Sequence, residues 1–466
     1  MKSLFINLPY PDKIIRRYIS SYYSPNFYFP PHELLQLATI VKKWKNDPVF
    51  FIDSIADRKK APDILSEISL SKPDILITYV GHFSLNEDLT TINEIKISFP
   101  KIVIIAAGFF PTVFPEKILN NSSIDIIIRG EPELTFSSLY DKIKNNEPLN
   151  NITGIAFKKD GKISVNPASE RIVSLDQIPF PDLSIIGKNL EIYREPYLGR
   201  PFTTMTASRG CAYNCSFCIH TYGQKVYFRS LENIKEELEH NLKYFSVKNI
   251  RFLDDMFTFK KKNTLQICRL LEKNNINWTC LSRIDTLDTE LAETMKKSGC
   301  KRVYLGIESG SQKILNILNK KIDKNILKDK LIQIKKSGLE ISSFFITGIP
   351  GETEEDLNES ITLAKETGLD YILVKKLKLW PGTDIYEKYK DKIQFNLFPF
   401  ENRFKDPMDE QKSTLNEKKF YREFYLRPSY IIKQAKNLLS HPGELLKGFF
   451  TLLKYLFSNK TNKDFI

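Results

Sequence analysis

Short apolar runs and helix-period stretches alternate along most of this chain. Leu4–Asn7, Val49–Asp53, Ile75–Tyr79, Ile102–Ala106 and Ile124–Ile128 are apolar runs of four or five residues. Between them lie His32–Lys45, Ile64–Leu70, Leu85–Ser98 and Pro115–Asn120, each with helical character. Uninterrupted apolar runs suit strands buried on both faces, and the helices between them supply the crossovers that parallel strands need. The pattern predicts an α/β fold with a doubly wound parallel sheet, Rossmann-like in type, over residues 1–145. The alternation resumes with Phe202–Ala207, Asn249–Leu253, Asn277–Ser282, Arg302–Gly306, Ile341–Thr347 and Tyr371–Lys375 as strands. Helical stretches intervene at Leu231–Tyr244, Lys262–Asn274, Thr289–Ser298, Lys313–Leu318, Lys324–Ser337 and Glu355–Thr367. Six such units predict a partial (β/α)6, TIM-like barrel over residues 199–390, with active residues at the carboxyl ends of its strands. Residues 146–198 read as a connector, with a hairpin turning at Asp160-Gly161 and a proline-rich linker at Ser174–Leu183. Residues 391–466 read as a basic, helical C-terminal region.

One stretch changes the picture. Cys211-Ala-Tyr-Asn-Cys215-Ser-Phe-Cys218 sets three cysteines in a short loop after the first strand of the second domain. Cluster irons are normally held by four cysteines, so a three-thiolate loop leaves one iron of a four-iron cluster open to a non-protein ligand. Structural zinc sites use a second ligand pair. Cys268, Cys280 and Cys300 stand isolated, and only His220 is placed to complete a Cys3His site. Six cysteines, three of them clustered, suit metal chemistry in a reducing compartment rather than a disulfide framework.

The C-x3-C-x2-C spacing, with aromatic Phe217 before the last cysteine, resembles the signature of the radical S-adenosylmethionine (SAM) superfamily. The resemblance implies a [4Fe-4S] cluster held by Cys211, Cys215 and Cys218, whose open iron chelates the amino and carboxylate groups of SAM. It also implies one-electron cleavage of SAM and hydrogen abstraction from a substrate. Further matches fall where the barrel would place them: Phe252–Thr258 as F-x-DD-x-FT, Ser282–Asp285 as SRID, Gly306–Gly310 as G-x-ESG and Gly348–Glu352 as G-x-PGE. SAM carries an ammonium, a carboxylate and ribose hydroxyls. Asp254 and Asp255 suit the ammonium, and Glu308 and Ser309 suit the ribose or carboxylate. Arg283 suits a bidentate carboxylate pair. Phe217 and Gly348 complete the expected SAM set. Any one of these residues is ordinarily a surface or capping group; the set in successive strand-end loops is what points to a site.

The order of domains resembles enzymes of that superfamily with an N-terminal cobalamin-binding domain. The pattern GG-x-x-P-T appears as Ala107-Gly108-Phe-Phe-Pro111-Thr112, with alanine in place of the first glycine, and GE-x-E as Gly130-Glu131-Pro-Glu133. The resemblance implies cobalamin contacts at Gly81, His82, Ala107, Gly108, Thr112, Gly130 and Glu131. The D-x-H-x-x-G motif that supplies a cobalt-binding histidine elsewhere is missing, and His82 reads as a loop histidine rather than a cobalt ligand. The functional expectation is methylation of an unactivated carbon of a small-molecule or lipid-like substrate, with electrons from a flavodoxin or ferredoxin. The alternatives are an oxidative cyclase or another radical rearrangement, an RNA methylthiotransferase and a non-catalytic iron–sulfur sensor. A methylthiotransferase carries a second three-cysteine cluster in its first domain, and here no cysteine precedes Cys211.

Charge changes less. The net charge is +13. Residues 412–466 hold 11 Lys and Arg against 4 Asp and Glu, a net +7 of the +13. Lysine-rich composition alone is weak evidence for nucleic acid, and no nucleic-acid partner is expected. Gly443–Phe457 interleaves apolar residues with lysines, a pattern for packing on the barrel or for peripheral membrane contact. No run of 18 apolar residues and no signal peptide is present, so a cytoplasmic location is expected, with any membrane contact peripheral at the inner face.

Overall fold

The computed structural model describes residues 1–17, 21–23, 27–187, 190–195, 198–220, 222–438, 453 and 455–456. The chain forms two compact units. One comprises Met1–Glu195, Gly199–Arg209 and Thr221–Asn249; the other Pro196–Leu198, Gly210–His220 and Ile250–Ile466.

In the first unit seven strands form one sheet, ordered Val49–Asp53, Ser3–Asn7, Ile75–Tyr79, Val103–Ala107, Ile126–Ile128, Ile155–Lys159, Lys162–Val165. The first five are parallel. Ser3–Asn7 and Ile75–Tyr79 are buried at every position, which is why they read as apolar runs rather than as alternation. Phe5, Ile77, Ile105 and Ile126 pack with Leu34 and Leu37 of the helix His32–Ile40 and with Phe136 and Leu139 of the helix Pro132–Lys144. The helices Ala61–Ser71 and Leu85–Ser98 bury Ile64, Ile68, Ile92 and Ile95. The helix Pro132–Lys144 lies outside the helical stretches read from the sequence. Its buried face is carried by four apolar and aromatic residues, and Leu134 points outward. The hairpin Ile155–Val165, expected in a connector beyond residue 145, pairs antiparallel with Ile126–Ile128 and extends the sheet. Its inner strand buries Ile155, Ala156 and Phe157, so hydrophobic burial draws it onto the sheet edge.

A second sheet has six strands, ordered Phe202–Met205, Asn249–Phe252, Asn277–Ser282, Cys300–Glu308, Glu340–Thr347, Tyr371–Lys376. The last four are parallel. The helix starts are signalled locally. Asp288, Asp323 and Thr353 cap Thr289–Lys297, Lys324–Lys336 and Glu354–Glu366 by accepting backbone N–H bonds, and Thr353 forms a capping box with Asp356.

The C-terminal region, expected to be helical, carries the helices Pro407–Tyr425 and Pro428–Leu438 and, before them, a hairpin. Ile393–Asn396 and Glu401–Phe404 form an antiparallel hairpin, and the second strand alternates buried Asn402 and Phe404 with more exposed Glu401 and Arg403. The helix Pro407–Tyr425 then lies along the strand Tyr371–Lys376. Tyr421 Oη bonds the N–H and C=O of Val374, and Tyr425 Oη those of Ile372. Two tyrosines thereby satisfy backbone groups that an edge strand leaves open. Among the described residues no helix is long and apolar enough to cross a membrane. The lysine-interleaved stretch Gly443–Phe457 lies outside the described residues except Leu453, Tyr455 and Leu456.

Candidate functional site

The cysteine loop lies in the second unit, as do the strand-end loops expected to serve it. Its neck is closed by Asp255, whose Oδ2 accepts the Gly210 N–H at 3.1 Å. Its middle is pinned by Ser216, whose N–H bonds Leu318 O at 2.9 Å and whose hydroxyl bonds Ile317 O at 2.9 Å. Phe217 packs into a cluster with Ile314, Leu318, Ile349 and Leu377. Cys215 is buried, while Cys211 and Cys218 are half-buried. Burial pushes the Cys211 thiol up, and burial with the neighbouring Cys215 and Asp255 pushes Cys218 up to about 12. Cys215 is near enough to raise both Cys211 and Cys218, and Cys211 near enough to raise Cys218. Both ring nitrogens of His220 are shut from solvent without a hydrogen-bond partner among the described residues. Among those residues, no three of His, Cys, Asp or Glu converge as a single-ion site needs. A cube of four irons asks for something else, one thiolate at each of three separate corners.

Arg283 follows the strand Asn277–Ser282 and is 5% exposed. As a SAM ligand it would face the SAM carboxylate. Instead Nε bonds Asp285 Oδ1 at 2.9 Å, Nη2 bonds Lys320 O at 2.7 Å, and Nη1 lies 3.5 Å from Cys215 Sγ. The guanidinium also stacks on Tyr213, with Cζ 3.6 Å from the ring centroid. Burial works to raise the Asp285 carboxyl, yet the adjoining guanidinium holds it below the usual carboxylate range.

Glu308 ends its strand at φ +71° and is 7% exposed. Its Oε1 accepts from Lys320 Nζ at 2.9 Å, and that ammonium lies 5.9 Å from the Phe217 ring centroid. Lys320 was not anticipated; nothing in Asn319-Lys320-Lys321 distinguishes it from other lysines in a lysine-rich chain. Asp254 is 2% exposed and near enough to Cys280 to raise that thiol. Ser309 turns away into the fold: its hydroxyl pairs with Ser360 Oγ at 3.0 Å and accepts the Ser311 N–H at 3.1 Å. Gly348 has φ +75°, and a Cβ there would overlap Ser413 of the C-terminal helix. Its N–H donates to Glu352 Oε2 at 2.8 Å, so the G-x-PGE motif closes on itself. The cysteines that are isolated in sequence also meet. Cys280 and Cys300 hydrogen-bond, with Cys268 beside them, all buried.

The remaining candidates belong to the first unit, on loops after Ile75–Tyr79, Val103–Ala107 and Ile126–Ile128. The Gly81 N–H bonds Asp88 Oδ2 at 2.8 Å. His82 is buried, 4.3 Å from the Phe83 ring and 6.2 Å from the Phe110 ring, and burial pushes its pKa down to about 3. Ala107 is 1% exposed in the core. Gly108 sits at φ +133°, and a Cβ there would stand 2.6 Å from Val80 O, so two loops cross too closely for any side chain. Thr112 Oγ1 bonds Gly108 O at 2.8 Å and accepts the Gly130 N–H at 3.4 Å, tying the second loop to the third. Glu131 is committed: Arg171 Nε bonds it at 2.9 Å, and Arg209, which bonds Glu133 at 2.6 Å, stands 3.6 Å away.

The family model described as the radical SAM superfamily matches residues 205–364. An uncharacterized methyltransferase of Pyrococcus horikoshii is 31% identical over 462 residues, covering 96% of this chain and 96% of its own length. The anaerobic magnesium-protoporphyrin IX monomethyl ester cyclase of Rubrivivax gelatinosus is 26% identical over 420 residues, 86% of this chain and 75% of that protein. The solved structure of the cobalamin-dependent S-adenosylmethionine radical enzyme OxsB, with aqua-cobalamin bound, matches with a TM-score of 0.73 at 18% identity, covering 100% of this chain and 74% of that one. At that identity the likeness is one of fold.

Proposed function

The chain belongs to the radical SAM superfamily, and on that footing we propose that it is a cobalamin-dependent methyltransferase acting on an unactivated carbon of a small-molecule or lipid-like, hydrophobic substrate. It is an enzyme of the [4Fe-4S] and SAM type. In this reading the first unit is a Rossmann-like cobalamin domain and the second sheet part of a TIM-like barrel.

The observation that carries the reading is the donor set of the cysteine loop. Three thiols share a short loop closed by Asp255, Cys211 and Cys218 each within electrostatic reach of Cys215, and a guanidinium lies at the Cys215 sulfur. A cationic donor beside a thiol favours the thiolate that binds iron, so the residues present fit a cluster. Cys211, Cys215 and Cys218 would hold it. The Glu308–Lys320 pair and Asp254 are the buried charges on which a SAM site would draw, whereas Ser309 and Gly348 support it from within the fold. When bound, the cluster and SAM supply one-electron bond cleavage and the corrin a methyl carrier.

The first unit fits a corrin through shape. Gly81, Gly108 and Gly130 keep its strand-end loops low, and open parallel sheets bind ligands beyond the carboxyl ends of their strands. His82 stays a neutral ring among Phe83 and Phe110 across the physiological range. Ala107 underlies these loops and Thr112 ties two of them, while Glu131 orders the third through its arginines. A flavodoxin or ferredoxin is the proposed electron donor.

The test is anaerobic reconstitution with iron, sulfide and hydroxocobalamin, followed by desalting and an absorption spectrum. Broad cluster absorption with retained corrinoid bands is expected. Cluster absorption without corrinoid would overturn the cobalamin step, and loss of both would overturn the reading. The kinship with the cyclase favours a second reading, oxidative ring closure. With substrate, methyl transfer releases S-adenosylhomocysteine, whereas ring closure does not.

A further inference from the structure

Arg283 is placed to act on a sulfur rather than on SAM. All three of its guanidinium nitrogens are engaged: Nε by Asp285, Nη2 by Asp285 and the Lys320 carbonyl, Nη1 by Cys215 Sγ at 3.5 Å. Bidentate capture of a carboxylate needs two parallel N–H groups, and the edges that would offer them are occupied. Tyr213, against the face of the guanidinium, lies inside the cysteine loop, so this one side chain grips the loop at a ring and at a sulfur. Lysine has neither the planar fork nor the stacking face that this arrangement uses.

Resting on the cluster reading above, we propose that Arg283 is a positioning residue that donates an N–H···S hydrogen bond to the Cys215 thiolate and thereby raises the reduction potential of the cluster. Reduction adds negative charge to the iron–sulfur core. A fixed cation with a donor at a ligand sulfur stabilises the reduced form more than the oxidised one. The hydrogen bond changes how readily the site accepts its electron; it adds no redox step of its own.

The test uses the full-length protein, reconstituted anaerobically with iron and sulfide. In wild type carrying 15N-arginine, pulsed electron paramagnetic resonance of the reduced cluster is expected to show coupling to a nearby 15N, absent in Arg283→Gln. Reductive titration is expected to show at least a tenfold lower ratio of reduced to oxidised cluster in Arg283→Gln at a fixed potential. For one electron that shift is about 59 mV. Arg283→Lys is expected to fall between the two, because it keeps the charge and loses the fork. Absence of 15N coupling in loaded wild type overturns the proposal, whatever the variants do. So does a loaded Arg283→Gln that titrates as wild type. Failure of wild type itself to take up iron overturns the cluster reading instead, which keeps the two outcomes apart.

Discussion

The strand-end loops of the two units are built in opposite ways. Around the cysteines, specificity comes from charge: Asp255 closes the neck, Arg283 spans Asp285, Tyr213 and Cys215, and Lys320 meets Glu308 out of solvent. On the first sheet it comes from backbone shape. Gly108 lets two loops cross, Thr112 joins the second to the third, and the His82 imidazole is held neutral. The difference matches the chemistry proposed for each. A cluster and a sulfonium amino acid are charged and need partners. A corrin is broad and flat and asks chiefly for close approach.

Four experiments would break or sharpen that contrast, beginning with the largest effect. Cys215→Ala is expected to abolish iron retention and SAM cleavage together, read by iron analysis and chromatography of the cleavage products. If full iron loading persists, the charge-built site is misassigned.

Lys320→Met leaves the Glu308 carboxylate buried without its ammonium. Breaking one side of a buried pair costs about 3–5 kcal/mol, so a fall of that size is expected in urea unfolding. Glu308→Gln/Lys320→Met is expected to recover part of it.

Gly108→Ala meets Val80 O and forces a left-handed backbone on alanine. A loss of about 2–4 kcal/mol is expected, together with loss of corrinoid retention while the iron content stays at the wild-type level. Equal loss of both cofactors would show that the two sites do not separate as shape and charge.

The last concerns pH. Burial pushes Glu417, on the C-terminal helix, up to about 7 from an ordinary value of 4.5. A carboxyl raised on folding favours the native state below its unfolded pKa, and that advantage is lost as pH rises through the folded value. Stability is therefore expected to decline between pH 4.5 and 7, by up to roughly 3 kcal/mol from this group. Glu417→Gln is expected to flatten the decline in urea titrations across that range; an unchanged slope would assign the effect elsewhere. Glu352, also raised to about 7 by burial, contributes with the same sign.

Much of the fold was legible because burial leaves a local trace. A strand covered on both faces reads as a near-continuous apolar run, as Ile75–Tyr79 does, and the edge strand Val49–Asp53 and the more polar Asn277–Ser282 also fall where the sequence places them. Helix starts were equally local, since a cap such as Asp288 serves an N–H three residues away. Less legible were the partners. Arg283 and Glu308 stood out as polar residues at strand ends, but the sequence alone suggested SAM for both. Their partners come from positions 320, 285 and 215, which no local pattern joins. Gly348 was read as a ligand contact, yet its φ and the approach of Ser413 already require glycine there.

The amino-acid sequence by itself determined the thiol loop, the alternation of strand and helix, and membership of a superfamily that uses a cluster and SAM. These depend on spacing within a few residues and on which positions avoid water. Only the tertiary structure decided which charges neutralise one another, that Cys268, Cys280 and Cys300 share one buried cluster, that the hairpin Ile155–Val165 extends the first sheet, and that Tyr421 and Tyr425 finish an edge strand. Ion pairs and hydrogen bonds act over about 3 Å between groups far apart in the chain. Their pairing is set by how the elements pack rather than by the residues that flank them.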